Sequence, residues 1–395
     1  READFERVVN ELAFEIQVGL WHDLEFHINI PIVLGDSRDL TFSSGDGGTV
    51  TRENSAIDPA DDLIQDDLND QGFFDTYRYF ELEGGNQGPT RSGFGDLSFG
   101  LSWAPFNSER QPHLATLALG FDYVAPTAPV ARASNTSPGR GVHEIQFSIA
   151  ASRRFAIVDP YFGMLYALPI ATSDSLFADH GGGQEMQSPG MRGEILGGVE
   201  FIVWERPEEE QVITVDVGLD FGYQAAGRDY SPISDALMSS SCGGTTPGEV
   251  SLMLDGTPYE PAASVPVNSA ACAWITQQTS SRIVNPAADP EDELYTHDGI
   301  TTQDAYITMG GHVGVNAQIS PYVELRIGTT FTTETERFIT AARTGVDRDN
   351  DGEVDFTDPN ERNPVYNPTM DSVGNRFRIE GVLNIDWHAT LAFQF

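Results

Sequence analysis

The chain has no lysine. All 22 of its basic residues are arginine, against 60 aspartates and glutamates, for a net charge of −38. That balance argues against nucleic acid as a partner, because phosphate contacts need a basic surface. It suits divalent cations, a salty habitat or a cation-selective path, with an acidic solvated surface as the plain alternative. Long apolar runs are missing as well: no stretch of about 18 apolar residues occurs, which argues against a membrane-crossing helix. Cysteine is scarce, with Cys242 and Cys272 in one polar segment. In an exported protein a pair so placed is expected to be a disulfide. No metal or redox spacing accompanies it. Catalytic signatures are absent too, with no Gly-x-Ser-x-Gly, His-Glu-x-x-His or phosphate loop. The eight histidines are scattered, so no enzyme is expected. No signal-peptide pattern opens the chain at Arg1, as in a mature or trimmed sequence.

What is present is alternation. From Phe377 to Phe395 every odd position is apolar, small or aromatic, and the even positions are mostly polar. Side chains alternate across a strand, so this is a strand with one greasy and one wet face. It ends on Phe395, and a terminal aromatic closing an amphipathic strand resembles the C-terminal signature of bacterial outer-membrane β-barrels. A tilted strand of about 9–11 residues crosses a bilayer. Comparable strands are predicted at 8–20, 23–34, 92–104, 113–127, 141–155, 159–170, 191–205, 211–226, 301–319, 321–335 and 375–395. Short connections alternate with long polar ones, the longest at 35–91, 227–300 and 336–374. Outer-membrane barrels sort short periplasmic turns from long external loops in this way. The negative mean hydropathy fits, since only alternate residues would face lipid. The expectation is one all-β domain over 1–395, a transmembrane antiparallel barrel in a Gram-negative outer membrane. Eleven strands conflict with the even number of single-chain bacterial barrels. A twelfth, upward strand before Arg1 is therefore expected to be missing.

Three segments carry a family resemblance: GLWHDLEFHINIPI (19–32), GFGDLSFGLSWAPF (93–106) and ALGFDYVAPTAP (118–129). They resemble the outer-membrane channel family associated with the meta-cleavage pathway of phenol degradation. The resemblance covers about a third of the chain, mostly 19–130. It implies a barrel of about twelve strands and uptake of small, often aromatic or apolar molecules. The acidic loops are not part of that pattern.

The sharpest local motif is Asp347-x-Asp349-x-Asp351-Gly352-Glu353-x-Asp355, with Asp358 at the twelfth position. Alternating carboxylates can converge on a hard cation, and a glycine at the sixth position permits the turn of an EF-hand-like loop. Asp347, Asp349, Asp351, Glu353, Asp355 and Asp358 are the candidate Ca²⁺ ligands; a solvated acidic loop tip is the alternative. A second acidic run, 58–74, reads as a short helix in the first long loop.

If the greasy faces meet lipid, the lumen receives Glu25, His27, Asp122, Arg154, Arg192, Glu194, Asp216, Asp220, His312, Glu324, Arg326, Arg378, Glu380, Asp386 and His388. Carboxylates outnumber arginines there. Either a salt-bridge network plugs the barrel, or acidic groups favour cations along a polar path. Trp21, Trp103, Tyr123, Tyr161, Trp204, Tyr223, Tyr322 and Trp387 read as an interfacial girdle. The functional expectation is an outer-membrane channel for small solutes, in contact with lipid and lipopolysaccharide. The alternative is a surface interaction protein whose barrel anchors calcium-bound, disulfide-pinned loops.

Overall fold

The computed structural model describes residues 3–49 except 43, 46 and 47; 86–87; 90–231 except 109, 112, 132–135, 173–176 and 178–182; 233; 252–254; 257–259; and 300–394 except 356–357, 359, 364, 367–370, 372 and 375. It is all-β, and its large antiparallel sheet curls into a half-barrel. Eleven strands follow one another along that sheet in chain order. They are β1 (Ala3–Trp21), β2 (Leu24–Phe42), β3 (Leu97–Phe106), β4 (Thr116–Ala125), β5 (Val142–Ser152) and β6 (Val158–Ala171). They continue as β7 (Arg192–Arg206), β8 (Gln211–Gln224), β9 (Tyr306–Ser320), β10 (Val323–Glu334) and β11 (Val382–Phe393). Each expected segment coincides with one of these strands.

Three expected strands are broken where the sequence pattern runs on. The segment 92–104 breaks at Gly95 and Asp96, with Arg91–Phe94 pairing with β2 as a separate short strand. The segment 301–319 breaks after Gln303, because Ile300–Gln303 pairs with Gly227–Tyr230 above the sheet. The segment 375–395 breaks at Gly381, whose φ of 66° leaves extended geometry, and Arg378–Ile379 pairs with Arg337–Phe338 instead. Glycine tolerates that conformation without a Cβ clash. The tight connections put non-glycine residues there too: Asp23, Ala156 and Glu210 all have φ near +50°. The helix expected at 58–74 and the Cys242–Cys272 pair lie outside the described residues.

Alternation sets the two faces. On β8, Val217, Leu219, Phe221 and Tyr223 are at least half exposed or nearly so, with Leu219 at 74%. Thr214, Gly218 and Gly222 on the other face are buried. The same outward apolar row runs along β1, β3, β6, β9, β10 and β11. Contiguous exposed apolar faces larger than a few hundred Å² mark contact with a membrane, another protein or a ligand. Buried apolar packing sits elsewhere: Val142, Phe177 and Ile300 form a cluster with Val130, Ala171 and Tyr230 at the long-loop end. Aromatic and large apolar side chains, Trp21, Phe106, Phe155, Trp204, Tyr322 and Phe393, gather exposed at the short-turn end.

β-Bulges adjust the faces. Leu34 is the extra residue between the Asn10–Gly35 and Glu11–Val33 pairs. A single inserted residue flips the side chains that follow it. Asp36 and Arg38 thereby turn to the buried side, although the alternation of 23–34 would not place them there.

Candidate functional site

The inner face is built as rows of register partners. His27 of β2 pairs with Gly100 of β3, which pairs with Asp122 of β4. Gly100 has no side chain, so His27 Nε2 reaches over it to Asp122 Oδ1 at 2.5 Å. A second row runs Tyr161, Gly198, Gly218, His312, Thr330, Asp386 across six strands. Tyr161 spans both glycines: its hydroxyl donates to Asp216 Oδ1 at 2.8 Å and meets His312 Nε2 at 2.6 Å. His312 Nδ1 faces Asp220 Oδ2 at 3.0 Å. A Cβ on Gly198 or Gly218 would fall on the Tyr161 hydroxyl or the His312 ring. Nearby, Asn316 Nδ2 donates to Glu200 Oε1 at 2.9 Å, and the Thr214 hydroxyl donates to the same oxygen. On β10, Arg326 Nε donates to Glu324 Oε1 at 2.6 Å. His388 lies over Gly328.

Most of the expected lining residues therefore share one face: Glu25, His27, Asp122, Arg192, Glu194, Asp216, Asp220, His312, Glu324, Arg326, Asp386 and His388 follow from these registers. Three do not. Arg154 sits in the 153–157 turn, where it grips Glu205 with two bonds of 2.9 and 2.6 Å. Arg378 and Glu380 precede the Gly381 break and pair with Glu336 and with each other on the long-loop side. Tyr161 departs from the girdle in the opposite sense. It follows Pro160 on an interior register and points inward, a role that a hydroxyl needing a buried partner could have suggested.

At the long-loop end the inner wall carries charged pairs. Arg7 holds Asp36 through Nε and Nη2 at 2.9 and 3.0 Å. Arg140 donates to Glu144 at 2.7 Å and Asp229 at 2.8 Å. Arg38 and Arg91 both donate to the Tyr230 hydroxyl, and the Arg91 guanidinium also lies 4.9 Å from the centre of the Tyr230 ring. Of these groups Arg7, Asp36, Arg91, Arg140, Asp229 and Tyr230 line a cavity of about 280 Å³.

The acidic loop has its own geometry. Asp347 Oδ1 accepts the Asn350 N–H at 2.6 Å, and Oδ2 accepts the Gly352 N–H at 3.0 Å. Gly352 has φ 96° and Asn350 φ 61°, the left-handed turns such a loop needs. Carboxylate oxygens of Asp347, Asp349 and Glu361 lie within 4.8 Å of one another. Glu361 is the residue that sequence spacing misses. The Gly345–Arg362 bridge and the Val346 N–H to Glu361 carbonyl bond fold it back onto the loop. Its carboxylate accepts the N–H groups of Arg348, Asp349 and Asp355. The Asp355 and Arg348 donors hold that carboxyl below the usual glutamate range, against desolvation. For Asp349 the Asp351 N–H pulls downward. Desolvation and the carboxylates of Asp351, Glu361 and Asp347 outweigh it and raise the group. Asp358, expected at the twelfth position, turns instead to Asn360, accepting its N–H at 2.8 Å. Asp351 accepts the Glu353 N–H. Neither these three nor Asp355 joins the close trio among the described residues.

No protein-family model and no curated protein matches the sequence.

Proposed function

We propose that this chain forms the wall of a bacterial outer-membrane β-barrel and passes small solutes through a polar, acid-rich lumen. The observation that carries the reading is the outward row of exposed apolar side chains on strand after strand, set against an inner face of linked polar groups. Short turns then face the periplasm and long loops face outside. Strands β1 and β11 run in the same direction, so antiparallel closure takes one further strand and gives a barrel of twelve. At the long-loop end Arg38 and Arg91 reach Tyr230 across the curl, but along the strands below it the inner contacts run along the wall between near neighbours. That arrangement favours diffusion through the centre, with Asp216, Asp220, Glu200 and Glu324 attracting cations. The resemblance of 19–130 to the phenol-pathway channels agrees with such a role.

The test is single-channel recording of the purified protein in a planar bilayer under a KCl gradient. Steady cation-selective steps are expected, and replacing Asp216 and Asp220 by Asn shifts the reversal potential toward zero. Silence from a folded protein would sink the channel reading.

A second reading is favoured by one observation, the convergence of Asp347, Asp349 and Glu361. In it the barrel anchors an external loop that holds Ca²⁺ and contacts neighbours. The mixed acidic trio and the Gly352 turn fit a hard, oxygen-seeking cation. Calorimetric titration with CaCl₂ tests it: saturable binding weakened by Glu361→Gln is expected, and an unchanged isotherm would reject the site.

A further inference from the structure

We infer that the cavity at the long-loop end binds a small organic carboxylate, gripped by Arg192. The local charge runs against the rest of the chain. Arg7, Arg91, Arg140 and Arg192 line the cavity with only three aspartates, Asp36, Asp229 and Asp304. Two of those acids are already engaged. Asp36 gives both oxygens to Arg7. Asp229 gives Oδ2 to Arg140 and Oδ1 to the Tyr230 N–H.

Arg192 is under-coordinated. It opens β7 on the inner face, directly opposite Gln224 of β8. Gln224 is fixed beside it by donating to the Gly190 carbonyl at 2.6 Å. Among the described residues the carboxylate partner of Arg192, Glu144, stands 3.4 Å away and is committed to Arg140 at 2.7 Å and Gln146 at 2.6 Å. The Arg192 Nε is buried and has no hydrogen-bond partner among the described residues. Its side chain as a whole is nevertheless 43% exposed. A guanidinium is a planar fork that matches a carboxylate with two parallel bonds. A cation entering the same space would meet four arginines.

Size and charge narrow the guest. About 280 Å³ lies near the low end of small-molecule sites, roughly 300–1,000 Å³. The three aspartates in the wall penalise a doubly charged guest, because like charges brought together are costly. A compact monoanion fits both limits. The inference goes beyond the channel reading and does not rest on it: it names a ligand held at the long-loop end, not the solute that the acid-rich lumen passes. Binding itself needs no open lumen.

The experiment is calorimetry on the detergent-folded full chain with sodium propionate, propionamide and inorganic phosphate. Propionate is expected to bind and the isosteric neutral amide is not. Arg192→Gln weakens propionate about tenfold or more, the loss of a charge-assisted pair. Arg192→Lys, which keeps charge and loses the fork, falls between. No heat with propionate, equal affinity in Arg192→Gln, or tighter binding of phosphate than of propionate would each overturn the assignment. Recording from the same sample separates the two readings, since saturable propionate binding by a silent protein leaves the site standing and removes the channel.

Discussion

Replacing Leu219 by arginine tests the membrane reading most directly. Leu219 is 74% exposed at the middle of β8, and its register partners are Gly197 on β7 and Gly311 on β9. Its neighbours along the outer row are Val217 and Phe221, so no carboxylate shares that face to pair with a guanidinium. Nor is there an easy escape to water. Gln224, at the upper end of the strand, is five residues away, about 16 Å at roughly 3.3 Å per residue. That exceeds the reach of an arginine side chain. In a bilayer the substitution should cost about 2–4 kcal/mol, the penalty for arginine near the midplane of a barrel. A penalty of that size is a change of about 30-fold to nearly 1,000-fold in the folding equilibrium. On a water-exposed surface the same change should stay within about 0.5 kcal/mol. The assay is guanidinium unfolding of protein folded into phosphatidylcholine vesicles. Ile319→Arg serves as the internal control. Ile319 is half exposed beside the short 321–322 turn, where the cost should fall to about 0–1 kcal/mol. A Leu219→Arg protein as stable as its parent, or equal penalties at the two depths, would refute the reasoning.

Gly218→Val should dislodge His312 and break its contact with Tyr161. The expected destabilisation is about 1–3 kcal/mol, the usual cost of overpacking, read as a lower denaturant midpoint; an unchanged midpoint would mean the row is not stabilising. Calcium affinity of the 347–361 loop should fall as pH falls, because protons compete for the ligands. Asp349, raised by its neighbours, protonates before Glu361, which its N–H donors hold low. Calcium titrations at neutral and mildly acid pH check this, and pH-independent affinity would contradict it. Without calcium the sign for Glu361 is that of a depressed carboxylate. Its contribution to loop stability is present above its unfolded value and lost as pH falls through the lowered folded value. In a background with Cys242 and Cys272 replaced by serine, cysteines placed pairwise at Leu12 or Ile16 and at Ile385 or Ala389 should not crosslink within a monomer. Paired strands lie about 4.8 Å apart, and a further strand doubles that beyond the roughly 7 Å that a disulfide spans. An oxidised intramolecular bond would show β1 and β11 pairing directly, without a twelfth strand.

The strands were legible because a period of two survives across most of each one. Thirteen consecutive pairs between β8 and β9, from Val212–Gln318 to Gln224–Tyr306, keep the polar set on one side without a break. The inner positions of His27, Asp122, Asp216 and His312 followed from parity alone. Parity fails where the backbone inserts a residue or turns. The Leu34 bulge reverses the faces beyond it, which is why Asp36 and Arg38 were not read as interior. Gly381 ends the apparent continuity of 375–395, so Arg378 and Glu380 belong to the loops. Glu361 was invisible for another reason. It comes fourteen residues after Asp347 in the sequence, and only the Gly345–Arg362 bridge brings it back to the loop. No local spacing encodes such a return.

The glycines on the inner face explain how an acidic wall can be built at all. A polar side chain on a strand would ordinarily reach only its immediate cross-strand neighbour. Gly100 lets His27 reach past one strand to Asp122, and Gly198 with Gly218 lets Tyr161 reach past two to His312. Each carboxylate so bridged gains a donor without drawing a side chain into the centre of the curl. Acidic groups can therefore line the wall while being partnered along it. At the long-loop end, by contrast, the partners come from connections folded inward, and arginine supplies them: Arg140 lies just before β5 and Asp229 just beyond β8. An anion would be met first by that basic ring and a cation by the acidic wall beyond it. In the proposed channel the two regions would impose opposite charge preferences in series. Neutralising Arg192 should weaken anion binding without moving the cation preference set by Asp216 and Asp220, and removing those two acids should do the reverse. A single substitution that moved both would show that the ring and the wall act as one site.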